Sequence, residues 1–289
     1  MGKRILIIHN PAAGRGAASH IAAVKCALET RQCDVTLIAT ASQSRLSALY
    51  RDFVADDWDV VVIAGGDGSL MGAINGLAGQ PPVLALIATG TANVVALDLG
   101  LVVDAEALAD VIVAGRTRQL CAGRVNNKLF AFTAGVGFDA DVVASVSPSV
   151  KKLTGKLAFA LAAVRTLIAH SYPVYKMTID NKEYSGVGAI IINGRYYAGS
   201  HVVAPQNDLG NGRLCVVILH KPGRIAALRY GLAMLLDRLQ SRTDVTFLQQ
   251  VRSIEIDGDD TTPVQVDGET ACHLPVLITA DAKRFDILA

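Results

Sequence analysis

The segment Gly65–Ser69 reads Gly-Gly-Asp-Gly-Ser and directly follows an apolar run, Val60–Ala64. Glycines at the end of a strand let backbone N–H groups and the start of a helix approach a phosphate closely, because no side chain intervenes and the helix dipole favours negative charge. A tight strand-to-helix turn is the structural alternative, but three glycines around an acid exceed what such a turn needs. The pattern predicts that Gly65, Gly66, Gly68 and Ser69 hold a phosphate or a nucleotide.

Asp67 lies inside this loop, and its negative charge repels a phosphate at close range. A carboxylate suits such a site when a cation lies between the two charges, or when the carboxylate orients other groups instead. The sequence therefore predicts either a Mg²⁺ ligand or an orienting residue at Asp67.

Two further loops follow apolar runs in the same half of the chain, one after Ile5–Ile8 and one after Val83–Ile87. Loops at the carboxyl ends of parallel strands meet in one crevice, where ligands bind. We therefore expect these loops to lie beside Gly65–Ser69. The residues expected there are Asn10, Gly90, Thr91 and Asn93.

The second half carries two carboxylates, Asp267 and Glu269, on either side of Gly268 at the end of an apolar run. A hydroxyl group that attacks phosphorus needs a carboxylate within hydrogen-bond reach to accept its proton. Glu269 is the candidate base, with Asp267 orienting it or helping to hold a metal. An ordinary hairpin turn, with Asp-Gly in its favoured place, is the alternative.

The elements that must position these residues differ between the two halves. Up to about residue 115, short apolar runs alternate with amphipathic segments, which is typical of βαβ units around a parallel sheet. The predicted strands are Ile5–Ile8, Val35–Ile38, Val60–Ile63 and Val83–Ile87, and the predicted helices are Ala17–Thr30 and Ser44–Val54.

From about residue 116 the pattern becomes mostly β, with turns rich in Gly, Asn and Asp. The predicted strands are Lys176–Ile179, Val187–Ile192, Leu214–Leu219, Ile254–Ile256, Val264–Val266 and Val276–Ile278, with helices at Leu157–Ala169 and Ile225–Leu239. We expect an α/β domain with a parallel sheet over residues 1–117 and a β-rich sandwich domain over residues 118–289.

Composition excludes several classes of protein. Lys and Arg number 27 against 26 Asp and Glu, so no global positive field would gather a nucleic acid. The five cysteines are odd in number and contain no C-x-x-C pair, which indicates reduced core thiols. The sequence contains no Walker loop, no complete G-x-G-x-x-G and no H-E-x-x-H. The apolar run near the start is too short for a signal peptide, so a cytoplasmic protein is expected.

With these motifs in place, the chain resembles the diacylglycerol kinase catalytic-domain family, which includes bacterial lipid kinases and sphingosine kinases. The resemblance rests on short motifs in family order along nearly the whole chain. They are Asn10-Pro11 with Gly14, Gly65–Ser69, Gly90–Asn93 with Leu99-Gly100-Leu101, Gly135–Ala140, Asn193–Arg195 and Asp267–Glu269.

The resemblance implies an NAD kinase/diacylglycerol kinase-like fold and Mg²⁺-dependent transfer of the γ-phosphoryl group of ATP to a lipid hydroxyl. The α/β domain would bind ATP and the β-rich domain would carry the lipid acceptor. Thr40, residues 66–72 and Thr91 match the family's nucleotide-binding positions. Glu269 matches its proton acceptor.

The chain departs from the family pattern at three positions. Ser69 replaces the more usual Thr and keeps the hydroxyl, while Val94 stands where many members have Asp. Asn211 stands where the family has an Asp that holds a structural Mg²⁺. Asparagine lacks the charge that Mg²⁺ usually requires from at least one ligand. Besides Asp67, the candidate metal ligands are therefore Asn211 and its neighbour Asp208.

A lipid substrate would be met by peripheral association with a membrane surface. Residues 142–179 contain no acid, and Lys151, Lys152, Lys156, Arg165 and Lys176 accompany an apolar helix there. This region suits contact with anionic lipid, but it also suits a helix packed across the sandwich with solvated lysines. Strand edges in the second half allow a homodimer, or capping by loops.

Two other functions share some of these motifs. NAD kinases have the Gly-Gly-Asp-Gly loop and a two-domain plan, although their T-P-T-G-S-T-A-Y-like segment is absent here. A non-catalytic nucleotide-binding regulator is the other alternative, suggested by Val94 and Asn211. Such a regulator would bind ATP without forming a phosphorylated product.

Overall fold

The computed structural model describes residues 2–11, 16–40, 43–79, 81–90, 92–146 and 156–289. The chain forms two compact units. The first comprises Met1–Cys121 with Lys283–Ala289, and the second comprises Ala122–Ala282. The sequence-based boundary after residue 117 falls inside a strand, and the last seven residues join the first unit instead of the second.

The bounds of the described elements are as follows. The helices are α1 Ala17–Thr30, α2 Gln43–Arg51, α3 Asp67–Gly76, α4 Val94–Leu99, α5 Ala105–Ala114, α6 Phe138–Ser145, α7 Lys156–Ala169 and α8 Arg224–Leu235. The strands of the first half are β1 Arg4–His9, β2 Asp34–Ala39, β3 Val60–Gly65, β4 Leu84–Ala88, β5 Thr117–Val125, β6 Lys128–Phe130 and β7 Thr133–Gly137. The later strands are β8 Tyr175–Ile179, β9 Lys182–Gly186, β10 Gly188–Ile192, β11 Tyr196–Tyr197, β12 His201–Val202, β13 Leu214–Leu219, β14 Val245–Val251, β15 Ser253–Asp257, β16 Pro263–Val266, β17 Glu269–His273 and β18 Val276–Leu288.

The first unit is built on parallel strands in the order β2-β1-β3-β4. The register places His9 beside Ala39 and Ala64, and Gly65 beside Ala88. All four strands therefore end at the same edge of the sheet, and the loops that follow them start there.

Helices cover this sheet because their apolar residues recur on one side. In α1, Ile21, Val24 and Leu28 are spaced by three or four residues and are buried against the sheet in one cluster. Leu108 and Ile112 of α5 join the same cluster. The predicted α/β domain with a parallel sheet is confirmed.

The long strand β18 contributes residues to both units. Its beginning pairs antiparallel with β15 in the second unit, and near its end Ile287 pairs parallel with Leu84 of β4 in the first unit. Phe285 and Ile287 are fully buried. The apolar run at Val276–Ile278 is thus only the first part of a 13-residue strand.

The second unit is an antiparallel β sandwich. One sheet has the order β14-β13-β10-β7-β16-β17. The other is formed by β18, β15, β8 and β9, with β5 paired to β18 and β6 to β5, and these strands belong to the same ten-stranded sheet as the parallel strands. Val136, Ile191 and Val216 of the first sheet share one buried cluster with Met177 and Ile254 of the second. The predicted β-rich second domain is confirmed as a sandwich.

Two predicted helices end earlier than their apolar patterns. The helix expected over Ser44–Val54 ends at Arg51, and α8 ends at Leu235 instead of Leu239. Asp237 has a positive φ of 52°, which an α-helix does not accommodate. Among the described residues, every helix is too short or too polar to cross a bilayer.

Candidate functional site

The Gly-Gly-Asp-Gly-Ser segment lies at the edge where the four parallel strands end. Gly65 is the last residue of β3, and Asp67 is the first residue of α3. The backbone N–H of Thr89, just after β4, donates to the carbonyl of Gly65 at 3.0 Å. This bond fastens the loop after β4 to the loop after β3.

Gly66 and Gly90 bring these two loops into backbone contact. A Cβ atom at Gly90 would lie 2.5 Å from the Cα of Gly66, and one at Gly66 would lie 3.0 Å from the Cα of Gly90. The distance at Gly90 is too short for any side chain, and the one at Gly66 is tighter than most side chains allow, so packing between the loops explains these glycines.

Packing within the chain does not explain why residue 68 is a glycine. A Cβ atom placed there would meet no atom of the chain within 4 Å, and the residue is exposed in the first turn of α3. Backbone N–H groups in a first helical turn have no partner within the helix and attract anions. The open space at Gly68 is therefore available for close approach of a phosphate.

The Thr89 hydroxyl adds a second polar group at this edge. It is buried and has no hydrogen-bond partner in the described structure. A buried hydroxyl without a partner is costly, and a polar ligand would satisfy it. The open space at Gly68 and the Thr89 hydroxyl both fit a phosphate-bearing ligand.

The Asp67 carboxylate holds the start of α4. Its two oxygens accept hydrogen bonds from the backbone N–H groups of Val94, at 3.0 Å, and Val95, at 3.1 Å. A carboxylate at a helix N-terminus is stabilised by these donors and by the helix dipole. These contacts support the alternative in which Asp67 orients other groups. At position 94 this contact uses a backbone N–H, which valine supplies as well as an acid would.

Asn93 shapes the loop that precedes α4. Its side chain accepts from the N–H of Gly90 at 3.0 Å and donates to the carbonyl of Gly90 at 2.9 Å, with a positive φ of 49°. Thr40 is buried after β2, and its hydroxyl donates to the carbonyl of His9. Asn10 is exposed directly after β1. Thr91 lies outside the described residues.

In the second unit, Asp267 and Gly268 form a two-residue hairpin between β16 and β17. Val266 pairs with Glu269, and the φ values of Asp267 and Gly268 are 49° and 77°. Two positive φ values in succession characterise a type I′ turn, which favours Asp-Gly. The backbone of Asp267 and Gly268 is therefore the ordinary hairpin turn that the sequence allowed as an alternative. The role of Glu269 stays a prediction.

The Asp267 carboxylate stabilises this turn. It accepts from the N–H groups of Ala131, Phe132 and Thr133 at 2.9 to 3.1 Å. These donors lie on the segment that leads into β7, so the carboxylate joins two neighbouring parts of the sheet. Its contacts favour a positioning role for Asp267 over metal binding.

Glu269 is exposed at the start of β17, and a polar network lies behind its turn. The N–H of Gly268 donates to the side chain of Gln265, whose own amide donates to Asp139 at 3.2 Å. The hydroxyl of Tyr197 donates to the same Asp139 oxygen at 3.0 Å. Gln265 is buried, so the turn that presents Glu269 is joined to a sheltered carboxyl group.

Asp139 lies in the first turn of α6, directly after β7. A Cβ atom at Gly135 would lie 2.2 Å from an Asp139 oxygen, so only glycine at 135 leaves room for this carboxyl. Burial raises the pKa of Asp139 to about 6, although hydrogen bonds from Tyr197 and Gln265 oppose the shift.

Asp139 should make stability depend on pH. Between about pH 4 and about pH 6 the unfolded chain loses this proton while the folded chain retains it. The free energy of unfolding should therefore fall as pH rises through this window, by at most about 3 kcal/mol. Asp139→Asn, whose amide oxygen still accepts both hydrogen bonds, should lose this part of the pH dependence. Urea unfolding across the pH range measures the difference.

The matched control is Asp257→Asn, at an exposed position of the same unit. It should keep the pH dependence of the unsubstituted protein. Identical pH profiles for Asp139→Asn and the unsubstituted protein would show that Asp139 titrates as an ordinary exposed acid.

The candidate metal ligands in the second unit are already engaged. The Asn211 amide donates to Asn207 at 3.1 Å, and its oxygen accepts from the N–H of Arg213 at 2.8 Å. Asp208 accepts from the N–H of Gly210 and pairs with Arg195 at 3.5 Å. Within the described ranges, no group of three His, Cys, Asp or Glu side chains is arranged to hold a metal. These residues do not fit the accessory Mg²⁺ site.

Sequence reasoning assigned no role to Asp139, Tyr197 or Gln265. Asp139 lies in the motif Gly135–Ala140, two residues after a Gly-x-Gly sequence. An acid in this position is the sequence signal that could have identified it as a site residue. Tyr197 and Gln265 are far from it in sequence, by 58 and 126 residues. Only the pairing of β16 with β7 brings Gln265 to this place.

Comparison with protein families gives two matches. Residues 4–125 match the model described as the diacylglycerol kinase catalytic domain. Residues 133–289 match the YegS C-terminal NAD kinase beta sandwich-like domain. Together these matches extend over most of the chain, in the same order as the two units.

Individual relatives are distant but match over more than nine-tenths of their length. A protein of Bacillus subtilis named diacylglycerol kinase is 25% identical over 94% of this chain and 92% of its own. One from Staphylococcus carnosus is 24% identical over 95% and 91%. The crystal structure of a diacylglycerol kinase from Bacillus anthracis has a TM-score of 0.77, with 24% identity over 99% of this chain and 96% of that one. A second Bacillus anthracis structure has a TM-score of 0.80 at 23% identity. These structures share the fold.

Proposed function

The chain belongs to the family that joins a diacylglycerol kinase catalytic domain to a YegS-type β sandwich, and we propose that it is an ATP-dependent lipid kinase. It transfers the γ-phosphoryl group to the hydroxyl of a lipid alcohol such as diacylglycerol. The observation that carries this proposal is the open space beside Gly68, in a glycine loop that is otherwise tightly packed.

The first unit binds the phosphates of ATP through backbone groups. The N–H of Gly68, in the first turn of α3, faces the phosphates, and the Thr89 hydroxyl supplies a further donor. Asp67 holds α4 and its preceding loop in place beside them. Asn10, Thr40 and Thr91 complete the proposed nucleotide site. Pre-formed donors of this kind lower the barrier because they need no rearrangement when charge develops.

Glu269 serves as the base for the lipid acceptor. The acceptor oxygen forms a bond to the γ-phosphorus while the bond from that phosphorus to the β–γ bridging oxygen breaks. The hydroxyl proton passes to the Glu269 carboxylate, and ADP leaves. Asp267 acts as a positioning residue, because its three N–H contacts fix the turn from which Glu269 projects.

Mg²⁺ enters with ATP in this proposal. When bound, Mg²⁺ would supply positive charge that offsets the negative charge built up during transfer. Since Asn211 and Asp208 do not fit an accessory site, no residue of that loop takes part.

The enzyme works in the cytoplasm, at the surface of a membrane that supplies the lipid. All five cysteines are free thiols, which supports a reducing compartment. No nucleic acid is expected as a partner, since the formal net charge is only +1.

Transfer of labelled γ-phosphate from ATP to a panel of extracted lipids in mixed micelles tests the proposal. We expect label on a lipid alcohol in the presence of Mg²⁺. NAD is included as a competing acceptor, because the β sandwich also resembles that of NAD kinases. Label on NAD would replace the lipid kinase with an NAD kinase. A thermal shift with ATP but no labelled product would favour a nucleotide-binding regulator.

A further inference from the structure

Helix α8 carries its large aliphatic residues on the outside. Four of them recur at three- and four-residue spacing and so form one stripe. The stripe consists of Ile225, Leu228, Leu232 and Leu235. Their exposed fractions run from 56% at Leu232 to 70% at Ile225. The side of α8 that packs on the sandwich uses Ala226, Ala233 and Tyr230 instead. This is the reverse of an ordinary surface helix, which buries its large apolar residues.

Helix α7 repeats the arrangement. Leu161, Val164 and Ile168 lie on one stripe and are 58% to 62% exposed. Among residues 161–169 of this helix, Ala162 and Thr166 are buried. The sequence of this region suits either packing across the sandwich or contact with anionic lipid. The exposure of the stripe favours contact with lipid.

The two stripes lie on helices that contact each other. The Arg224 guanidinium, at the start of α8, donates to the carbonyl of Ile168, near the end of α7, at 2.8 Å. The bond thus joins the backbone at Ile168, the last residue of the α7 stripe, to the residue that precedes Ile225, the first residue of the α8 stripe. We call the two stripes together the apolar face. Exposed apolar surface on neighbouring helices is typical of an interaction site.

The exposed charges described on α7 and α8 themselves are positive, and the acid nearest to α7, Asp141 of α6, is paired with His170 at 2.6 Å. Arg165 and Arg229 are exposed on the two helices, one residue after Val164 and Leu228. Residues 142–179 and 214–236 contain no Asp or Glu. The first acid after α8 is Asp237, whose carboxylate accepts from the N–H of Val202. A partner for this face must therefore tolerate apolar contact and supply negative charge.

We propose that the apolar face docks on the surface of an anionic phospholipid bilayer. The aliphatic side chains enter the interface, and the arginines beside them lie at the level of the lipid phosphates. A second copy of this chain fits less well, because symmetric pairing of the face would bring arginines towards arginines. The inference deepens the proposed function, which needs a lipid acceptor, but binding to a bilayer requires neither ATP nor acceptor.

Vesicle flotation of the full chain tests the docking surface. Vesicles of phosphatidylcholine with phosphatidylglycerol are compared with vesicles of phosphatidylcholine alone. The chain should bind the anionic vesicles more tightly. Leu228→Gln/Leu232→Gln should lower the partition coefficient about tenfold or more, since two apolar side chains no longer enter the interface. Leu161→Gln/Ile168→Gln provides an independent variant on the other helix. Arg229→Gln should weaken binding to anionic vesicles only.

The matched control is Val54→Gln/Val103→Gln, which changes two aliphatic residues of similar exposure in the first unit. It should bind vesicles as the unsubstituted chain does. Thermal unfolding and the shift with ATP should be the same for all variants, because every substituted side chain is exposed.

Equal vesicle binding by the leucine variants and the unsubstituted chain would overturn the proposal. So would a dimer, seen by light scattering, that these substitutions convert to monomer without changing vesicle binding, since a second copy would then cover the face. Transfer to a detergent-dispersed lipid is measured in parallel. Its absence in the unsubstituted chain would count against the kinase while leaving the vesicle result intact.

Discussion

Glu269→Gln should reduce phosphoryl transfer to lipid by about a hundredfold to ten-thousandfold, the range usual for loss of a general base. Glutamine keeps the size of the side chain but cannot accept the acceptor's proton. The residue is exposed at the start of β17, and the turn before it is held by Asp267. The substitution should therefore leave the fold intact. Initial rates with labelled ATP, at saturating lipid, measure the effect.

Two controls accompany this variant. Glu183→Gln removes an exposed carboxylate from β9 in the same unit and should leave the rate unchanged. The thermal shift with ATP should be equal in Glu269→Gln and the unsubstituted chain. Full activity of Glu269→Gln would remove this residue from the mechanism and leave the Asp-Gly hairpin as a purely structural element.

Gly68→Val should weaken ATP binding about a hundredfold or more while leaving the chain folded. No atom of the chain lies within 4 Å of the position that the new Cβ would occupy, so the substitution creates no internal clash. Valine and glycine are both poor helix formers, so stability should change by less than about 1 kcal/mol. The added side chain would fill the space proposed for the phosphates. Isothermal calorimetry with ATP and Mg²⁺ measures the affinity.

Gly79→Val is the matched control for this effect. Its Cβ also meets nothing within 4 Å, and it lies just beyond the end of α3, away from the first turn. ATP affinity should be unchanged there. If Gly68→Val binds ATP as the unsubstituted chain does, the phosphates lie elsewhere and the carrying observation of the proposal fails.

The fold could be predicted largely from the sequence because its signals are local. Buried strands such as Val60–Gly65 appear as continuous apolar runs, and α1 appears as a stripe of three- and four-residue spacing. The shared strand β18 could not be predicted in this way. Its second half alternates charged residues with Phe285 and Ile287, and its partner Leu84 is some 200 residues earlier.

The candidate site could likewise be predicted only where its sequence signals are local. The glycine loops could be placed together because parallel strands end at one edge, and the structure shows the contact of Gly66 with Gly90. The partners of Asp67 could not be predicted, because they are the backbone N–H groups of Val94 and Val95. The side chains at these positions give no sign of this contact. The exposure of the α8 stripe could not be predicted either. The spacing of apolar residues shows which of them share a face of the helix, but it does not show whether that face is buried or exposed.

The contribution of β18 to both units bears on how the protein is made. A ribosome synthesises residues 283–289 only after all 161 residues of the second unit, 122–282. Until then the sheet of the first unit lacks the strand segment that pairs with β4, and the places of Phe285 and Ile287 in its core stay open. The first unit is thus started first during translation, but its sheet is completed only after the second unit has been synthesised. The sheet that supports the proposed ATP site is therefore complete only after the β sandwich has been produced.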